Sequence, residues 1–268
     1  MIGGKGRQKG FTIIEVLIVL VVTSALFLGA IVLISGRQNQ AAFDQSIREV
    51  QSEIQQVISD VGNGYYPNMN NFSCTTSGTG PLITTSGSTA QGTNSGCIFI
   101  GKALQLAVQG TNPEQYRTYP LAGLQKDSSG NDVATFADAL PTVVSADATS
   151  RALQNGLTVK SMKANGVDVG AVAFTNSLAP VGGVTTTNST SQHVDLVAIA
   201  GSGLHVTPGT AATQINTALK TATVMPTTVQ ICFASGSTNQ SGLITIGDTN
   251  ASSSSLAVTL VIKGGLVC

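Results

Sequence analysis

Lys9-Gly10-Phe11-Thr12-Ile13-Ile14-Glu15 is the stretch around which the rest of this 268-residue chain is organised. A leader of ten residues carries Lys5, Arg7 and Lys9 and ends at Gly10. An almost unbroken apolar run then extends from Phe11 to Ile34, with one carboxylate, Glu15, near its start. An acidic side chain at the centre of a membrane helix costs roughly 2.5–3.5 kcal/mol on insertion scales, and less near the end. Glu15 therefore has two readings: a functional charge held in an apolar segment, or an interfacial one that snorkels to water.

The run is long enough to span a bilayer. Twenty-four helical residues at about 1.5 Å each reach about 36 Å, against a hydrocarbon core of roughly 30 Å. The span is predicted over residues 11–36. The positive leader holds the N-terminus on the cytoplasmic side by the positive-inside rule. A competing reading is a secretory signal cut after Ala25 or Ala30. The apolar region of such a signal is typically about 7–15 residues, whereas this run is longer and contains Glu15.

Beyond Arg37 the pattern becomes amphipathic. Phe43, Ile47, Val50, Ile54, Val57 and Val61 recur at steps of four and three, which lays one apolar stripe along a helix. Asp44, Arg48, Glu49, Gln51, Glu53 and Gln55 fall off the stripe. The helix is predicted to continue over residues 37–61, with its stripe packed under a sheet of the same chain. A coiled-coil partner is the weaker alternative, since three or more heptads are wanted for that reading. Gly62 and Gly64, with Pro67 beyond, end the helix.

The remainder, residues 62–268, reads as one extracellular β-rich unit. Only 10% of residues are charged, against roughly 25% in an average soluble domain; Ser, Thr, Gly, Asn and Gln supply the polarity. The chain has 13 basic and 13 acidic residues, and loss of the leader removes three of the basic ones. No basic stripe remains, and aromatics are 4% with no Trp, so nucleic-acid binding is not expected. Lys160 and Lys163 are close in sequence but read as a solvated face.

Cys74, Cys97, Cys232 and Cys268 are an even set in an exported chain, which suggests disulfides. Four cysteines allow three connectivities. The pairing Cys74–Cys97 with Cys232–Cys268 is favoured because each pair brackets a local segment. The absence of a CxxC spacing and the presence of only two His argue against zinc.

Residues 65–97 read as a polar loop closed by Cys74 and Cys97. Strands are predicted at Cys97–Ile100, continuing through Leu104, Leu106 and Val108, and at Tyr116–Tyr119, Leu157–Lys160, Val167–Phe174 and Val194–Ala200. Further strands are predicted at Val229–Ala234, Leu243–Ile246 and Leu256–Ile262. A short helix is predicted around Asp147–Gln154, and Ala179–Gln192 reads as a polar loop.

No catalytic motif stands out: there is no G-x-S-x-G elbow and no P-loop, so the chain is not expected to be an enzyme or to carry a cofactor or metal. His193 and His205 read as loop residues. Asp248-Thr249-Asn250 reads as a turn rather than a calcium site. The sequons at Asn71 and Asn188 are the kind that Ser/Thr-rich chains produce by chance.

Lys-Gly-Phe-Thr-x-x-Glu followed by a long apolar run resembles the class III signal of type IV prepilins and pseudopilins. The resemblance covers about residues 5 to 60 and is general beyond them. It implies an α+β, pilin-like fold: a long N-terminal helix, half transmembrane and half amphipathic, packed on an antiparallel sheet. It implies cleavage by a prepilin peptidase between Gly10 and Phe11, N-methylation of Phe11, and an assembly role for Glu15 toward a neighbouring subunit. Other pilin subunits, an assembly platform and an ATPase are the implied partners. The location is the membrane as a single-pass precursor, then a surface filament. A Cys232–Cys268 loop is similar to the C-terminal disulfide region of pilins. One departure is the lack of the Pro that many pilins carry in the apolar run; only Gly29 and Gly36 interrupt it. The alternatives are a secretion pseudopilin and a membrane-anchored binding or adhesion domain that does not polymerise.

Overall fold

The computed structural model describes residues 12–64, 73–77, 80–84, 96–106, 115–133, 136–145, 148–176, 194–200, 208–220, 228–236, 239–247 and 256–264. The class is α+β: a long N-terminal helix whose second part packs on a large antiparallel sheet. The chain divides into two compact units, Met1–Ala42 and Phe43–Cys268. Helix α1, Ile13–Gly62, contributes to both.

In the first unit α1 is exposed at residues 13–31 and 35–41. In the second unit the predicted stripe is the buried face. Phe43, Ile47, Val50, Ile54, Val57 and Val61 are all at most 8% exposed. Full burial of a side chain of this kind stabilises by about 1.5–3 kcal/mol, so the stripe fixes which face of the helix meets the sheet. The helix ends as read: Asn63 and Gly64 donate back to Ser59 and Val61, with Gly64 at φ +65°.

The strands are β1 (Ser73–Ser77), β2 (Gly80–Thr84), β3 (Cys97–Leu106), β4 (Gln115–Leu124), β5 (Thr142–Val143), β6 (Thr149–Ala152), β7 (Leu157–Ala164), β8 (Val167–Asn176), β9 (Val194–Ala200), β10 (Val229–Ser235), β11 (Gln240–Ile246) and β12 (Val258–Gly264). Strands β1 and β2 form a separate hairpin. The other ten form one sheet in the order β12-β11-β10-β7-β8-β3-β4-β5, with β6 on β4 and β9 on β8. Every pairing is antiparallel.

Two further helices are short: α2, Phe136–Ala139, and α3, Pro208–Lys220. The period-2 rule of strands then builds two cores. Leu104, Tyr116, Val172, Phe174 and Leu196 point to the α1 side. Ala103, Tyr119, Ala171, Ala173 and Val197, on the same strands, point to the other side, where Ala211, Ala212, Ile215 and Leu219 of α3 cover them.

Two expectations are corrected. Residues 149–152 are strand β6, not part of a helix, because they pair with Gln115–Thr118 of β4; tertiary pairing overrides the helix preference of Ala, Leu and Gln. The polar loop 65–97 contains the β1–β2 hairpin. Helix α3 was not foreseen at all. Val108, the 179–192 loop, both His residues, Asp248–Asn250 and both sequon asparagines lie outside the described residues.

Candidate functional site

The N-terminal end of α1 is the candidate site. Thr12 opens the helix as its cap: the backbone N–H of Glu15 donates to Thr12 Oγ1 at 3.3 Å and to the Thr12 carbonyl at 3.1 Å. Thr12-Ile13-Ile14-Glu15 has the spacing of a capping box. It also sets Glu15 in the first turn, where the helix dipole favours an anion. Gly10 and Phe11 lie outside the described residues.

Around Glu15 the surface is apolar. Ile13, Ile14, Val16, Leu17, Ile18, Val19 and Leu20 are all more than half exposed, as are Leu26, Phe27 and Leu28. No other charge occurs from Thr12 to Gly36. An apolar surface of this extent needs a lipid or protein cover, and α1 is long and apolar enough to cross a membrane. Its other polar side chains turn inward on the helix. Thr23 Oγ1 donates to the Val19 carbonyl at 2.8 Å, Ser24 Oγ to Leu20 at 2.7 Å and Ser35 Oγ to Ile31 at 2.8 Å. Such bonds satisfy hydroxyls where water is absent. Glu15 is thus the one charged side chain of the segment.

Residues 5–31 match the family model of the prokaryotic N-terminal methylation motif. Over these residues the chain is prepilin-like. No curated protein and no solved structure matches it. The prepilin match ends at Ile31 and so includes none of the second unit. The motif and the apolar helix fit a membrane-anchored prepilin-like precursor.

The second unit carries the cysteines. Cys74 of β1 is bonded to Cys97 at the start of β3, with Cα atoms 6.2 Å apart, within the usual disulfide range. Cys232 on β10 is 2% exposed and disulfide-bonded; its expected partner, Cys268, lies outside the described residues. Among the described residues no three His, Cys, Asp or Glu side chains group as a metal site. Asp127 shapes a turn: its carboxylate accepts from the backbone N–H groups of Asn131 and Ser129, each at 2.8 Å, which holds its pKa below the ordinary value.

Sequence reasoning did not foresee a cavity of about 210 Å³ between α1 and strands β4 and β6. Ser46 and Glu49 line it from the helix, and Tyr116, Arg151 and Gln154 from the sheet side. Arg151 pairs with Glu53, one turn along from Glu49. Burial, and then the Glu53 carboxylate, push the Tyr116 phenol above its ordinary pKa, against the pull of Arg151. The residues come from segments about 100 positions apart, so no local signal marks them.

Proposed function

We propose that this chain is a structural subunit of a type IV pilus or pilus-like filament. A prepilin peptidase cuts between Gly10 and Phe11, Phe11 is N-methylated, and the processed helix leaves the membrane to join the core of a fibre at the cell surface. Assembly runs on a platform protein and an ATPase. One observation supports this above the rest: Glu15 is the sole charge from Thr12 to Gly36, an exposed apolar stretch of α1 whose residues up to Ile31 match the methylation motif.

The physical logic is charge neutralisation. Cleavage creates an amine on Phe11, and Glu15 of an adjacent subunit accepts it. Each charge alone costs several kcal/mol in an apolar setting, and pairing removes most of that cost. The pair acts as a register device: a subunit one turn out of place leaves both charges unpaired.

Mass spectrometry of the mature N-terminus tests the reading. A chain starting at Phe11 and heavier by about 14 Da for one methyl group is the expected result. A chain retaining Met1 points instead to a membrane anchor that does not polymerise. A start after Ala25 or Ala30 overturns the filament.

A further inference from the structure

The second unit presents complementary charges on opposite sides of its sheet. Glu49 is exposed at the mouth of the α1–β4–β6 cavity and has no ion-pair partner among the described residues, since Arg151 is taken by Glu53. Ser46 Oγ and the Tyr116 hydroxyl add polar oxygens to the same cavity. Burial raises the pKa of that phenol. The site therefore offers, beside the Arg151–Glu53 pair, one carboxylate without an ion-pair partner among the described residues, in a recess of about 210 Å³.

Lysines stand on the reverse face. Leu157, Val159, Met162 and Ala164 of β7 turn toward the α1 core, which leaves Lys160 and Lys163 on the other side, both exposed. On β12, Val258, Leu260 and Ile262 pack toward α1, which leaves Lys263 exposed on the reverse face. None of the three forms an ion pair among the described residues. Among the described residues the acid that faces them is Asp168, opposite Lys163 in the β7–β8 hairpin, so the described part of the face keeps a positive excess.

We infer that the Glu49 cavity of one subunit receives a lysine from the β7/β12 face of a second copy. The inference rests on the filament reading above and specifies a contact between the globular units. Two different patches on opposite faces make a heterologous contact, and a heterologous contact that does not close on itself propagates as a helical fibre. An isologous dimer would set lysine against lysine. Opposite charge also steers the approach of subunits and rejects wrong registers.

Zero-length cross-linking tests this. A water-soluble carbodiimide joins a carboxylate to an amine as an amide, with loss of one water. Filaments are grown from the full chain as a mixture of isotopically light and heavy subunits, so that bonds between copies are told apart from bonds within one. The expected product joins Glu49 of one copy to Lys160, Lys163 or Lys263 of another. Glu49→Lys is expected to lower filament yield about tenfold, and Lys160→Glu with Lys163→Glu is expected to restore most of it in that background. Unchanged thermal unfolding of each variant separates lost contact from lost fold. Filaments without a Glu49 cross-link, or with unchanged yield in Glu49→Lys, overturn the contact while leaving the filament reading intact. A wild-type chain that is never processed to Phe11 and never polymerises overturns both.

Discussion

Lys102 Nζ donates to Asp60 Oδ2 at 2.6 Å and ties β3 to the last turns of α1. The Lys102 side chain is 9% exposed and that of Asp60 22%. The pair lies at the border of the core under the helix. Three further bonds lock the packed part of α1: Asn155 to Ser46, Gln51 to the Val258 carbonyl, and Arg151 to Glu53. Asp60→Ala leaves a buried ammonium unpaired. It is expected to cost about 3 kcal/mol, the low end for a buried pair because water reaches Asp60. Replacing both partners, with Lys102→Met and Asp60→Leu, is expected to recover most of that loss. Urea unfolding of the three variants measures it.

Gly242 on β11 lets α1 approach closely. A Cβ built there overlaps Cδ1 of Ile47, which is fully buried. Gly242→Ala is expected to destabilise by about 1–3 kcal/mol through overpacking. Ile47→Val removes the atom that is struck, so the double variant is expected to be more stable than Gly242→Ala alone. Thermal unfolding of the pair decides; additive losses would mean that the helix does not sit this close.

The stripe from Phe43 to Val61 could be read directly from sequence because a helix repeats every 3.6 residues, and all six positions proved buried. Strands β7 to β12 were legible through short β-branched runs between Ser/Gly/Asn turns. Helix α3 was not, because its buried apolar residues among those described are Ala211, Ala212, Ile215 and Leu219, and three Thr dilute the pattern. The Arg151–Glu53 and Lys102–Asp60 pairs join positions 98 and 42 residues apart, a separation at which sequence carries no register. The N-terminal site was legible as a motif, since leader, Glu15 and apolar length occupy one continuous stretch.

The Cys74–Cys97 bond fastens the β1–β2 hairpin to β3 across 23 residues. In the loop-entropy picture a closure of this length contributes about 3 kcal/mol. Replacing both cysteines by serine is expected to lower the unfolding midpoint. Limited proteolysis is expected to cut first near residues 73–84, because that hairpin lies outside the ten-stranded sheet. Unchanged resistance there would show that packing alone holds the hairpin.

Burial raises the Tyr116 and Tyr119 phenols above their ordinary value of 10.0. The folded state thus favours the neutral form. For a raised pKa the stabilisation is complete below the unfolded value and is lost as pH rises through the folded one. Stability is expected to be flat from neutral pH up to about 10 and to fall above it. Tyr116→Phe removes one of the two groups and is expected to make the alkaline fall shallower. Chemical denaturation between pH 8 and about 11.5 reads the slope.

Glu15 separates a filament subunit from a plain anchor. In an anchor, Glu15→Ala removes a charge from the apolar segment, so membrane retention is unchanged or improved. In a filament subunit the same change leaves the Phe11 amine of a neighbour without its partner. Glu15→Ala is then expected to abolish fibres while the chain is still cut and methylated at Phe11. Glu15→Asp keeps the charge but shortens its reach, and an intermediate yield is expected. Thr12→Ala removes the cap that holds the first turn, worth about 1 kcal/mol, and is expected to lower yield less than Glu15→Ala. Fibre yield measured beside the N-terminal mass of each variant keeps processing and assembly apart. Full assembly of the Glu15→Ala chain would leave the charge with no assembly role and favour the anchor.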